Sequence, residues 1–101
     1  MPGGTPRPLH PALGYSARLV GRRPGGWFRE SAAHRLGEQA ERATREAWEK
    51  GTPTRPDGKA REFDFGRRVG TGPNGGGQTR VKTHMDDNGM IHGHPSGPES
   101  P

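Results

Sequence analysis

From Ser31 to Glu49 the chain carries one glycine, Gly37, and no proline. It is the stretch best able to hold a helix of several turns, since proline removes a backbone donor and glycine costs conformational entropy. Within it Ala32, Ala33, Leu36, Ala40, Ala43 and Ala47 recur at three- and four-residue steps and form one narrow apolar stripe. Glu38–Arg42 and Glu41–Arg45 are supporting pairs at four-residue spacing. Ser31 is placed to cap the start, and Gly51 followed by Pro53 ends the run. A stripe made of alanine buries little area, so this helix needs a close-packed neighbour and reads as a scaffold.

The rest of the chain holds most of its 18 Gly and 11 Pro, and only 25% of the 101 residues are hydrophobic. Glycine and proline together above roughly a quarter mark low-complexity sequence. The whole chain is therefore not expected to form one packed domain, and about half of it is expected to fold. Residues 1–27, rich in Pro, Gly and Arg, read as a disordered linker, residues 28–95 as a small domain, and 96–101 as a tail. The chain has no apolar run near the ~20 residues of a membrane span. The N-terminal Met1-Pro2-Gly3-Gly4 lacks the apolar core of a signal peptide. With no cysteine there is no disulfide, thiol nucleophile or thiolate metal site. A net charge of +5 favours an anionic partner: RNA, DNA or an acidic protein.

Residues 61–95 read as β structure. Arg61-Glu62-Phe63-Asp64-Phe65 alternates and puts both phenylalanines on one face, a glycine-rich connection spans Gly66 to Gly77, and Thr79 to Met85 alternates again. Asp86-Asp87-Asn88-Gly89 is a turn signal, after which Met90-Ile91-His92-Gly93-His94 returns. A two-residue Asn88-Gly89 loop would mix polar and apolar residues on each face. A three-residue loop, Asp87-Asn88-Gly89, with Asp86 opening a type I turn and Gly89 in a left-handed bulge, pairs Met85 with Ile91, His84 with His92, and Lys82 with His94. One face then carries Val81, Thr83, Met85 and Ile91, and the other Arg80, Lys82, His84, His92 and His94. A one-residue slip turns every side chain over, so the register that sorts the faces is preferred. The predicted fold is α+β: an N-terminal helix followed by a small antiparallel β-sheet of three to four strands.

Three histidines beside Lys and Arg suit metal-independent RNA cleavage, in which a base takes the 2′-hydroxyl proton and an acid protonates the leaving 5′-oxygen. Histidine supplies both roles near neutral pH, and Arg80, Lys82 and either Arg67 or Arg68 would hold the phosphate. Two plainer readings stay open: a solvated strand face, and a His84, His92, His94 metal site that nearby carboxylates do not clearly complete. His10 and His34 belong to no constellation. Gly70-Thr71-Gly72-Pro73-Asn74-Gly75 lacks the strand–loop–helix setting and the lysine of a phosphate loop. Trp27, Phe28 and Trp48 read as packing partners of the helix, and Asp64 as a partner for Arg67 or Arg68.

Glu62-Phe63-Asp64-Phe65-Gly66-Arg67, Val69-Gly70-Thr71 and the segment Asp87-Asn88-Gly89-Met90-Ile91 ending at Pro95 resemble C-terminal modules of bacterial polymorphic toxins, nearest the polymorphic toxin type 24 family. The layout also resembles the barnase–EndoU–colicin–RelE group of metal-independent ribonucleases. The resemblance covers about a third of the chain. It implies a toxin module carried as the tail of a larger secreted protein into the cytoplasm of a target cell, or a cytoplasmic standalone cassette. It further implies an acidic immunity protein that blocks the basic face, phosphate contact by Arg67, and catalysis by Arg80, Lys82, His84 and His92; in the acid–base mechanism read from the residues, His94 is the substitute for either histidine. No cofactor is expected. The alternative is a non-catalytic basic module that grips RNA or an acidic protein by charge.

Overall fold

The computed structural model describes residues 14–18, 26–31, 33 and 35–100. One helix, α1 (Leu36–Lys50), lies against a five-stranded sheet whose order is β1 (Gly14–Ala17), β8 (Met90–Ser96), β7 (Arg80–Met85), β4 (Ala60–Asp64) and β3 (Thr52–Pro53). A second sheet of two-residue strands, β2 (Gly26–Trp27), β5 (Gly70–Thr71) and β6 (Gly77–Gln78), touches β8 through β2 and β5.

The hairpin β7–β8 takes the three-residue loop. Met85 lies opposite Ile91, His84 opposite His92, and Lys82 opposite His94. The Gly89 N–H donates to the Asp86 carbonyl at 3.1 Å, and Gly89 sits at φ +81°, a conformation that side-chain-bearing residues rarely adopt. Asp86 also holds the turn through its side chain, where Oδ1 accepts the N–H groups of Asn88 (2.9 Å) and Met90 (3.0 Å).

Alternation sends Val81, Thr83 and Ile91 to the helix side, where all three are fully buried. Ala40, Ala43 and Ala47 of α1 form the core with Trp27, Val69 and Val81, and Phe63 and Phe65, edge to face with ring centroids 4.9 Å apart, pack against it. The alanine stripe thus finds the close neighbour it needs. Thr44 rests on Gly93, where even a methyl group would collide with its side chain.

Three expectations are corrected. The helix begins at Leu36, not Ser31: the Ser31 hydroxyl accepts the Ala33 N–H, and Arg35 at the N-cap makes no side-chain cap. Gln39 holds the preceding chain extended, its amide accepting the Glu30 N–H (2.7 Å) and donating to the Phe28 carbonyl. Ala33 therefore lies ahead of the helix, and Ala32 and His34 fall outside the described residues. The C-terminal end falls as expected at Gly51, whose N–H donates to the Ala47 carbonyl (2.8 Å). Arg61 caps the same end, donating to the Trp48 carbonyl (2.7 Å) with its guanidinium 4.1 Å above the Trp48 ring.

Second, the sheet is larger than three to four strands and is mixed, because β1 pairs parallel with β8. Third, structure reaches into the segments read as linker and tail. β1 and β2 lie within residues 1–27, whose positions 1–13 and 19–25 are outside the described residues. Ser100 bridges Gly77, and the Glu99 carboxylate accepts the N–H groups of Asn74 and Gly76. The glycine-rich connection supplies β5 and β6. Backbone hydrogen bonds order these stretches, so apolar composition understates how much of the chain folds. Among the described residues no helix is long and apolar enough to cross a membrane.

Candidate catalytic face

The sheet face turned away from α1 carries the polar partners of the buried stripe. Arg80, Lys82 and His84 come from β7, His92, His94 and Ser96 from β8, and Glu62 and Asp64 from β4, all placed by strand alternation. β1 adds Ser16 beside His92. Arg18 follows at the end of β1, its N–H donating to the Gly93 carbonyl at 3.1 Å.

His84 and His92 are cross-strand neighbours with ring centroids 5.2 Å apart and planes tilted by 31°. Nε2 of His92 lies 2.9 Å from Oδ2 of Asp86, and its Nδ1 lies 2.9 Å from the Ser16 hydroxyl. Asp86 is held below the usual carboxylate range, first by its hydrogen bond with His92 and then by the backbone N–H of Met90. Burial pushes His84 below the ordinary histidine value; the neighbouring charges of His92, Arg18 and Arg55 add to this, and Asp86 opposes it. Burial likewise lowers His94, with His84, Arg18 and Lys82 adding to it. Lys82 is exposed, and the exposed Arg80 lies 3.6 Å from Asp64.

The structure thus gathers Arg80, Lys82, His84, His92 and His94, as the sequence predicts. It does not bring Arg67 and Arg68 to them. Gly66, at φ +71°, turns the chain after Phe65. Arg67 then pairs with Glu30 (3.0 Å) and lines a cavity with Trp27, Gln39 and Arg42 on the helix side. Arg68 lies 4.5 Å over the Phe28 ring and donates to the Thr71 hydroxyl. Asp64 finds Arg80 instead of either.

Three residues that sequence reasoning passed over belong to the face: Ser16, Arg18 and Asp86. Asp86 was legible as a turn former, and its position opening the turn puts it within reach of the returning strand. Ser16 and Arg18 carried only a weak signal, the polar positions of a short alternation with Tyr15 and Ala17. Among the described residues no group of three or more His, Asp or Glu side chains is arranged to hold a metal ion; both ring nitrogens of His92 already have partners.

Comparison with protein-family models, curated proteins and solved structures finds no match. The functional reading rests on this geometry: two adjacent imidazoles, one of them held by a carboxylate, on a face that also carries the cations Arg18 and Lys82.

Proposed function

We propose that this face is the active site of a toxin-type, metal-independent ribonuclease. The carrying observation is the His84–His92 pair, whose members face different surroundings. His84 is kept neutral by burial and by the neighbouring positive charge, and takes the 2′-hydroxyl proton. Asp86 balances the charge of His92 when that ring is protonated. His92 delivers a proton to the leaving 5′-oxygen through Nδ1, the substrate oxygen replacing the Ser16 hydroxyl. Repulsion across 5.2 Å favours one charged ring at a time, which suits an acid working beside a base. Lys82, Arg80 and Arg18 stabilise the phosphorane-like charge, Arg18 taking the place first given to Arg67 and Arg68, and His94 lies beside Lys82 as a reserve base. An acidic immunity protein would cover the same cations, and delivery as a secreted effector belongs to this reading.

The test is incubation of the chain with total RNA in excess EDTA beside a His84→Ala/His92→Ala double variant. Cleavage by the native chain alone, leaving 2′,3′-cyclic phosphate ends, is expected. The exposed Arg18 and Lys82 also fit a non-catalytic RNA-binding module, which would bind in both lanes and cut in neither.

A further inference from the structure

The partners of His92 fix where its proton sits. Asp86 is ionised at neutral pH, with Oδ1 filled by two backbone N–H groups and Oδ2 against the ring. An ionised carboxylate only accepts, so Nε2 carries the hydrogen; the neutral ring then offers a bare lone pair at Nδ1, and the Ser16 hydroxyl is the donor across 2.9 Å. A hydroxyl polarised by an imidazole that a carboxylate orients is the arrangement that activates a nucleophile, whatever the chain order. Ribonuclease chemistry has no use for Ser16 in it.

The edge position of β1 adds a second element. In a parallel ladder alternate N–H groups of a strand point to its neighbour. The Arg18 N–H goes to Gly93 of β8, so the Ala17 N–H points off the open edge, where no described residue accepts it. The N–H of the residue following a nucleophile is a common donor to a developing oxyanion.

We propose that Ser16 is the nucleophile of an acyl-transfer site for carboxylic esters, with His92 as its base, Asp86 as the residue that orients His92, and the Ala17 N–H as an oxyanion donor. Ser16 Oγ bonds to the carbonyl carbon as its proton passes to His92 Nδ1. The tetrahedral adduct collapses, the bond to the alcohol oxygen breaks, and His92 returns the proton to that oxygen. Water then adds to the acyl-serine by the same route, its proton moving through His92 to Ser16 Oγ as the acid leaves.

The experiment treats the full chain with an alkyl fluorophosphonate and maps the adduct by peptide mass spectrometry, with far-UV circular dichroism checking the fold of each variant. Labelling at Ser16 is expected, with none at Ser31, Ser96 or Ser100, and a loss of about a hundredfold in labelling rate in His92→Gln. Hydrolysis of p-nitrophenyl acetate should disappear in Ser16→Ala. A folded native chain that stays unlabelled at Ser16, or labelling unchanged in His92→Gln, overturns the proposal. Neither readout depends on whether RNA is cut.

Discussion

Asp86 links the turn to the chemistry: one carboxylate oxygen closes the hairpin and the other holds a histidine. Asp86→Asn separates these roles. The amide oxygen still accepts the two backbone N–H groups, while the amide nitrogen facing His92 reverses the ring's donor and acceptor. Under the ribonuclease reading, RNA cleavage should fall by roughly 10² or more at an unchanged circular dichroism spectrum, since the protonated His92 ring loses the carboxylate that balances its charge and meets an amide N–H at Nε2 instead. At this scale the sequence was informative where neighbours are close in the chain. The histidine and lysine positions followed from alternation alone. Arg67 was misplaced because its partner, Glu30, lies far back in the chain, and no motif spacing records that contact. Ser16 was missed for the same reason: its bond to His92 joins residues 76 positions apart.

At the scale of elements, the His92-Gly93-His94 run is intelligible from both sides of the sheet. The two histidines face away from α1, and the glycine between them leaves room for Thr44. Gly93→Ala drives a methyl into that side chain. It should lower unfolding free energy by about 1–3 kcal/mol, the usual cost of overpacking, as read by urea denaturation. The hairpin was legible down to its register because a turn signal and two alternating strands constrain one another. β1 was not, since a parallel pair has no connecting turn to read, and the alternation of Tyr15 and Ala17 with Gly14 and Ser16 is too short to outweigh the Pro, Gly and Arg around it. The helix was legible in type but not in its start, which Gln39 settles by claiming the backbone ahead of it.

Across the whole molecule, the polar face ties stability to pH. Folding lowers the proton affinity of His84 and His94, so the unfolded chain binds protons first as pH falls through the ordinary histidine value of 6.5. The contribution is fully present above that value and is lost as pH falls towards the lower folded values; the depressed carboxylate of Asp86 adds a further loss at more acidic pH. Melting temperature should therefore decline from neutral pH to pH 5, and less so in a His84→Gln/His94→Gln variant. RNA affinity should fall linearly with the logarithm of salt. Arg18→Gln/Lys82→Gln should reduce that slope by about 1.4, at roughly 0.7 per phosphate contact on a single strand. Arg67→Gln/Arg68→Gln, away from the histidine face, should leave it unchanged.

The pairing of β1 with β8 also sets a timetable. Ser16 and Arg18 are made early and His92 late, so the two halves of the face meet only when the last strand is complete. A ribosome would hold β1 without its partner until the closing strand emerged. A protease cutting anywhere between the two strands and separating the pieces would take the face apart at a stroke.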